Sequence, residues 1–160
     1  MKLFLLRHAP AEPGSPDAER PLTPAGHRMA QQLAAFLKGK RYFSFTQVWC
    51  SPYRRARETL DPLIAHGLSR AQVRYREDLL PGSDIAEILP EIHRMRKGLL
   101  VVGHNPHLAT LARYLSGLDS PQAPLSFKKG AVWVFKQEPL AASGFSLAAV
   151  LPPAALGLKR

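Results

Sequence analysis

Three short, largely apolar runs constrain the fold of this chain more than any other feature, because each ends on a polar or basic residue. The run Leu3–Leu6 stops at Arg7 and His8, the segment 45–50 stops at a serine, and the segment 99–103 stops at a second histidine. A short, wholly apolar run is typical of a strand buried on both faces, as in a parallel sheet. The sequence therefore predicts parallel strands with polar residues at their carboxyl ends.

The stretches between these runs have the spacing of amphipathic helices. Thr23 followed by Pro24 predicts a helix N-terminus, with apolar residues at helical spacing as far as about Gly39. Gly26, early in this helix, suggests close packing against a neighbouring segment. A second helix is predicted after Ser51, and a proline in its second half is expected to kink or divide it.

Further elements complete the pattern. We predict a helix from Ser83 or Asp84 to about Arg96, weakened by Pro90, and another after Asn105. Asn105 could orient His104 or cap this helix, and the cap is favoured. The remaining segments are a short strand at 73–75, an irregular stretch at 118–130, and an antiparallel pair of strands at 131–136 and 145–151. Because strands alternate with helices, we predict an α/β fold in one domain, residues 1–160: a three-layer sandwich with a mostly parallel sheet and helices on both faces.

Composition excludes several classes of protein. The 160 residues are 46% apolar and 21% charged, which indicates a globular chain. The single cysteine, Cys50, excludes an internal disulfide and a multi-thiolate metal site. No segment approaches the roughly 18 apolar residues needed to span a bilayer, and the apolar run at the N-terminus is too short for a signal peptide. We therefore expect a cytoplasmic protein with no membrane partner.

The net charge of +10 requires an explanation. It fits either a solvated basic surface or the attraction of anionic substrates or an acidic partner. A nucleic-acid partner is not expected, because the basic residues are scattered and form no basic helix, zinc finger or aromatic RNA-binding string.

The strand ends carry the residues with catalytic potential. If the three buried strands are neighbours, two histidines and at least two arginines meet at one edge of the sheet, where open α/β sheets bind their ligands. Arginine guanidinium groups neutralise phosphoryl oxygens through paired hydrogen bonds, and neutral imidazole can attack phosphorus to form a phosphohistidine. Helix N-termini at the same edge would add N–H donors. The histidines lack a metal-binding spacing, so no metal and no cofactor are expected.

Three motifs, LLRHA, SPYRRARET and VVGHNP, occur in an order and spacing that resemble the histidine phosphatase superfamily, which has the phosphoglycerate-mutase-like fold. The short chain, the RPLTPAG segment, the LLPGSD region and the FKKGAVWVF strand are similar to those of the SixA-type phosphohistidine phosphatases within it. The resemblance extends over nearly the whole chain. It departs at Ala9, where many members have glycine, and a methyl group is expected to be tolerated there.

The resemblance implies a role for each site residue. His8 would be the phosphorylated nucleophile, and His104 the second histidine of the pocket. Arg7 and Arg55 would bind the phosphate, and Arg20 would be a third phosphate ligand. By contrast, the other arginines of the second motif, at positions 54 and 57, are expected to be solvated helix residues.

No residue is an obvious general acid. Glu77, Asp78 and Asp84 lie in the right region but match no motif. A site without an acid suits a phosphohistidine substrate better than an alkyl phosphate, because the P–N bond is more labile than an ester whose alkoxide must be protonated. We therefore predict a phosphatase that dephosphorylates phosphohistidine on a protein, such as a histidine-containing phosphotransfer domain.

Other functions stay open at this point. The closest alternative is a general small-molecule phosphomonoesterase, and another is a non-catalytic phosphate-binding module. A cysteine phosphatase is disfavoured, because the arginine such a loop needs would stand at Ala56, and Cys50 is expected to be a buried apolar residue at a strand end.

Overall fold

The computed structural model describes residues 1–118 and 125–157 and has a six-stranded sheet at its centre. The strands are β1 (Lys2–Arg7), β2 (Gln47–Cys50), β3 (Val73–Tyr75), β4 (Leu99–Gly103), β5 (Val132–Gln137) and β6 (Phe145–Leu151). Their order is β3-β2-β4-β1-β5-β6, with parallel pairing from β3 to β1 and antiparallel pairing of β5 with both neighbours. The predicted mostly parallel sheet and its antiparallel pair of late strands are confirmed.

Helices cover both faces of the sheet. They are α1 (Pro24–Leu37), α2 (Arg54–Ala65), α3 (Leu89–Arg94) and α4 (His107–Leu115). Side chains alternate across a strand, so Phe4 and Leu6 join the core under α1 and α2, whereas Leu3 and Leu5 join the core under α3 and α4. The three-layer sandwich follows from this alternation.

The first helix begins as its sequence predicts. The Thr23 side chain accepts a hydrogen bond from the backbone N–H of Gly26 at 2.9 Å, with Pro24 in the first helical turn. The Gly26 position has no room for a side chain, because a Cβ there would overlap the carbonyl oxygen of Pro10. The predicted close packing of this glycine is therefore confirmed, and it brings α1 against the loop that follows β1.

Two local predictions are wrong, and one of the two alternatives for Pro62 is excluded. Pro62 does not divide α2, which is continuous through it, because the proline lies in the last turn and removes only one N–H. The helix predicted from 83 to 96 is a 3-10 turn, capped by Asp84, followed by the short helix α3, with Pro90 in its first turn rather than its middle. Asn105 does not cap α4: its Oδ1, the atom that would accept a helix N–H, has no hydrogen-bond partner within the described residues, while its amide nitrogen donates to the carbonyl of Phe127 at 3.3 Å.

The predicted irregular stretch 118–130 is described only in part, because residues 119–124 lie outside the described ranges. Among the residues that the structure describes, no helix is long and apolar enough to cross a bilayer.

Candidate active site

Strand pairing brings the two histidines together. β1 and β4 are parallel neighbours with Arg7 opposite Gly103, and the backbone N–H of His8 donates to the Gly103 carbonyl at 3.0 Å. The next residue on each strand is a histidine, and the ring centroids of His8 and His104 are 5.0 Å apart. The expectation that these strands are neighbours is correct, and β2 lies on the other side of β4.

The His8 ring is held by the backbone that follows it. Its Nδ1 lies 2.7 Å from the carbonyl oxygen of Ala9, which can only accept, so Nδ1 carries the proton and Nε2 keeps its lone pair. The Ala9 N–H in turn donates to Thr59 Oγ1 at 3.0 Å, and that hydroxyl donates to the Arg55 carbonyl at 2.7 Å. The methyl group of Ala9 packs in the core, so alanine is accommodated at this position.

The ring of His104 is oriented by Ser51, the residue that follows β2. Ser51 Oγ lies 2.7 Å from His104 Nε2 and accepts a hydrogen bond from the backbone N–H of Tyr53 at 3.4 Å. A Ser51 hydroxyl that donates to His104 Nε2 places the ring proton of His104 on Nδ1. That Nδ1 is buried and has no hydrogen-bond partner within the described part of the chain.

Both imidazoles are neutral near pH 7. Burial lowers the pKa of His8 to about 3, with smaller contributions from the positive charges of Arg55, Arg7 and Lys129. Burial also lowers the pKa of His104 to about 2, assisted by His8 and Arg55. Neutrality leaves His8 available as a nucleophile.

Two arginines border the histidine pair. The Arg7 guanidinium donates from Nη1 to the Phe127 carbonyl at 2.7 Å, while its buried Nε has no partner among the described residues. Desolvation lowers the pKa of Arg7. Arg55 is only 4% exposed and binds Asp17 twice, through the backbone carbonyl at 2.6 Å and the carboxylate at 3.0 Å. The site therefore contains cationic N–H donors close to neutral imidazoles.

Arg20 is linked to this group through the loop after β1. Its Nη1 donates to the Asp17 carboxylate at 2.7 Å and its Nε donates to the Glu12 carbonyl at 2.6 Å. Asp17 thus bridges Arg20 and Arg55. Partial burial raises the pKa of Asp17, but hydrogen bonds from both arginines outweigh this and lower it, so the carboxylate stays ionised.

The loop before β5 is fastened to the backbone of the site. The N–H of Gly130 donates to the carbonyls of Arg7 and His8, at 3.0 and 3.2 Å, and the Arg7 N–H donates to the Ala131 carbonyl at 3.2 Å. Lys129 is exposed at this loop, and its charge acts on His8.

The acidic residues considered as proton donors do not reach the histidine pair. Asp78 forms an ion pair with Arg76 at 2.6 Å, and Asp84 caps a 3-10 turn by accepting from the Ala86 N–H at 2.9 Å. Glu77 is exposed, and its carboxylate has no hydrogen bond within the described residues. Within the described ranges, no group of three or more histidine, cysteine or acidic side chains could hold a metal ion.

Other residues agree with their predicted environments. Cys50 is fully buried, and burial raises the pKa of its thiol. Arg54 is half exposed and pairs with Glu58 at 2.7 Å, and Arg57 is exposed, as expected for solvated helix residues.

Sequence reasoning missed three residues that orient the site. Ser51 could have been found, because it follows a buried strand just as His8 and His104 do. Thr59 could have been found from its position one helical turn after Arg55. Asp17 carries no such signal, because a loop carboxylate reaches an arginine 38 positions later only through the tertiary fold.

Comparisons with known proteins agree on one family. A family model described as histidine phosphatase superfamily (branch 1) matches residues 3–80. An uncharacterized protein of Mycobacterium tuberculosis is 34% identical over 126 residues, which is 76% of each chain. A SixA phosphohistidine phosphatase candidate from Nakamurella multipartitia is 35% identical in structural alignment, with a TM-score of 0.74 and 96% of each chain covered. The protein histidine phosphatase SixA in complex with tungstate has a TM-score of 0.83 at 22% identity, over 98% of this chain and 99% of that one, and this likeness concerns the fold.

Proposed function

Since the chain belongs to the histidine phosphatase superfamily, we propose that it is a metal-independent phosphatase that acts through a phosphohistidine intermediate on His8. Its substrate is a phosphohistidine displayed on a protein, such as a histidine-containing phosphotransfer domain. The similarity to the Nakamurella protein, whose name refers to phosphohistidine, supports this choice of substrate.

The orientation of the His8 ring is the observation that carries the proposal. Because Nδ1–H is bound to the Ala9 carbonyl at 2.7 Å, the lone pair of Nε2 is the free nucleophilic position. A pKa lowered to about 3 keeps that lone pair unprotonated at any physiological pH. An imidazole fixed in its reactive tautomer requires no separate base to activate it.

The surrounding donors bind and neutralise the phosphoryl oxygens. Within the described residues, Arg7 offers an unpartnered Nε, and Arg55 lies near both histidines. His104 donates from Nδ1, which has no partner in the same part of the chain, while its Nε2 accepts from the Ser51 hydroxyl. Arg20 completes the set from the loop after β1. Donors fixed in advance stabilise the negative charge that develops on phosphorus-bound oxygens in the transition state.

The first chemical step transfers the phosphoryl group between two nitrogens. The Nε2 lone pair of His8 forms a bond to phosphorus while the P–N bond of the substrate breaks, and its electron pair stays on the departing imidazole. A substrate ring protonated on its far nitrogen leaves as neutral imidazole and needs no acid from the enzyme. The bond formed and the bond broken are of the same kind, so the step is close to thermoneutral.

The second step is hydrolysis of the enzyme intermediate. A water oxygen bonds to phosphorus, the P–Nε2 bond breaks with its electrons returning to His8, and the water gives up a proton to the phosphate or solvent. Inorganic phosphate is released and the neutral ring is regenerated. Neither step uses a metal ion, so we expect a chelator such as EDTA to leave turnover unchanged.

Among the described residues, the carboxylate that acts on His104 is ionised, and this favours a phosphohistidine substrate over phosphate esters. Asp17 is the acidic residue whose charge acts on His104, and it is held ionised by Arg20 and Arg55. An ionised carboxylate cannot protonate an alkoxide. We therefore expect slow turnover of alkyl phosphates and faster turnover of phosphoramidates.

A substrate panel tests the proposal. The purified protein and its His8→Ala variant are given a phosphohistidine-bearing protein, free phosphoramidate and a simple alkyl phosphate. We expect cleavage of the first two by the wild type, little cleavage of the third, and none by the variant. Faster cleavage of the alkyl phosphate would favour the small-molecule phosphomonoesterase instead, and binding of phosphate without turnover would indicate a binding module.

A further inference from the structure

A cavity beside Arg7 is not explained by the phosphoryl-binding residues. It has a volume of about 600 Å³, and its lining includes Arg7 but neither catalytic histidine. Cavities of roughly 300–1,000 Å³ are typical of ligand sites. The cavity therefore shares Arg7 with the phosphoryl site but is not lined by the histidine pair.

The walls of this cavity are chiefly apolar. Met29 of α1 forms the buried part, and the other apolar lining residues are Pro10, Ala25, Pro152, Pro153 and Ala154. The prolines and Ala154 are half-buried or exposed, so the cavity opens to the surface as a groove. An apolar group entering it would gain the free energy of leaving water.

Two lysines at the rim of the cavity favour ligands that carry negative charge. Lys128 and Lys129 line it and are exposed, and neither forms an ion pair with a carboxylate within the described residues. Their backbone is fixed, because the Gly130 N–H binds the carbonyls of Arg7 and His8. These two positive charges therefore remain at the rim beside the phosphoryl site.

We propose that this groove binds the surface next to the phosphohistidine of a protein substrate, taking one apolar side chain into the cavity and pairing carboxylates with Lys128 and Lys129. The inference rests on the proposed function and adds a preference to it: an acidic protein segment with an apolar residue near the phosphorylated histidine. The overall charge of +10 is consistent with an acidic partner. Because the groove is open beside Arg7, a histidine displayed on a folded protein can approach it.

Four synthetic peptides test both features. Each contains one phosphohistidine, prepared by treatment with phosphoramidate, and they combine a neighbouring leucine or serine with flanking glutamates or glutamines. We expect the wild type to favour the leucine and glutamate peptide over the serine and glutamine peptide by about tenfold or more in kcat/KM, as expected for one buried apolar side chain with charge pairing.

Two variants with matched controls assign these preferences to the groove. Ala154→Trp should fill the cavity and abolish the leucine preference, whereas Ala155→Trp, at the adjacent exposed residue that does not line it, should retain the preference. Replacing both Lys128 and Lys129 by serine should abolish the glutamate preference. Lys136→Ser should leave the glutamate preference unchanged. Lys136 lies opposite Lys2 in the sheet, at the end of β1 that is remote from Arg7.

The outcomes separate this inference from the proposed function. Cleavage of all four peptides at equal rates, or preferences that survive both groove variants, overturns the inference and leaves the function intact. Failure to cleave any phosphohistidine peptide refutes both. A naphthyl phosphate cleaved faster than the peptides, with the advantage lost in Ala154→Trp, would assign the groove to a small apolar phosphate ester and overturn the protein substrate.

Discussion

At the scale of single residues, the site depends on a chain of hydrogen bonds that begins outside the reacting groups. The Thr59 hydroxyl accepts a hydrogen bond from the Ala9 N–H, and the Ala9 carbonyl accepts a hydrogen bond from Nδ1–H of the His8 ring. This chain links α2 to the imidazole without any charged group. The backbone here fixes the tautomer, a role that carboxylates often serve for histidines.

Thr59→Val tests this chain, because valine has nearly the same shape but no hydroxyl. The buried Ala9 N–H then loses its acceptor, which should lower the free energy of unfolding by about 1–3 kcal/mol. Loosening of the Ala9 carbonyl should also lower kcat more than it raises KM. Denaturant titration and steady-state kinetics measure the two effects.

Thr110→Val is the matched control for this variant. Thr110 also donates to a carbonyl one turn earlier in its helix, at 3.2 Å, but it is exposed and accepts nothing from the site. Its replacement should leave kcat unchanged. If both threonine variants have wild-type kcat, the chain of hydrogen bonds does not orient His8.

The effect of the Asp17 carboxylate on phosphate binding can also be tested by a single substitution. This carboxylate binds Arg55 and Arg20, the same guanidinium groups that are proposed to bind phosphate. Asp17→Asn keeps the size and the backbone contact to Arg55 but removes the negative charge. Since a nearby like charge disfavours an anion, the variant should bind inorganic phosphate several-fold more tightly as a competitive inhibitor. Weaker phosphate binding would mean that the carboxylate orients the arginines rather than competing with the phosphate.

At the scale of elements, the loop before β5 connects the cavity to the backbone of His8. Gly130 has φ of +74°, and a Cβ there would overlap the sulfur of Met29. The same residue donates its N–H to the Arg7 and His8 carbonyls. Glycine at this position thus permits both the turn and the contact with α1.

Gly130→Ala should therefore destabilise the protein and lower activity together. Gly117→Ala is its control, because Gly117 also has a positive φ, +66°, but no atom within 4 Å of a Cβ. The control should lose only about 1–2 kcal/mol from the left-handed conformation, and Gly130→Ala should lose more and reduce kcat/KM. Equal losses of stability and activity in the two variants would contradict the assigned role of the loop.

The elements also show what the sequence could and could not predict. The runs before His8 and His104 were predictable because wholly apolar segments of four or five residues have few alternatives to a buried strand. The helix predicted from 83 to 96 was wrong because Pro90 fits the first turn of a helix as well as it breaks the middle of one. The cap predicted at Asn105 was wrong for a different reason: a tertiary hydrogen bond from its amide nitrogen to the carbonyl of Phe127 positions the side chain, and its Oδ1 accepts no helix N–H within the described residues.

At the scale of the whole molecule, the sequence predicted the histidine pair but not its supports. The two histidines follow adjacent strands, so an alternating α/β pattern was sufficient to bring them together. Ser51, Thr59 and Asp17 act through contacts between segments far apart in the chain. Such contacts depend on loop paths and helix rotation, which periodicity does not determine.

Burial of neutral histidines makes the stability of the whole molecule pH-dependent. The pKa values of His8 and His104 are lowered to about 3 and about 2 from an ordinary value of 6.5. In the unfolded chain these two histidines bind protons near pH 6.5, whereas in the folded chain they stay neutral at that pH. The free energy of unfolding should therefore be highest above pH 6.5 and fall as the pH decreases, by up to about 1.4 kcal/mol per pH unit for each histidine.

Denaturant titrations from pH 8 to pH 5 measure this slope while carboxylates remain ionised. The His104→Gln variant should show a shallower slope than the wild type, because one buried titrating group is gone. Identical slopes would mean that His104 takes up its proton equally in the folded and unfolded states.

The covalent intermediate is the most direct measurement of the central claim that His8 is the nucleophile. Rapid quenching of the enzyme during turnover of a radiolabelled phosphohistidine peptide should capture a phosphoryl group that is stable in alkali, labile in acid and mapped to His8. The His8→Ala variant should form none and lose at least about a thousandfold in turnover. A phosphoryl group on another residue, or undiminished turnover in His8→Ala, would contradict the account.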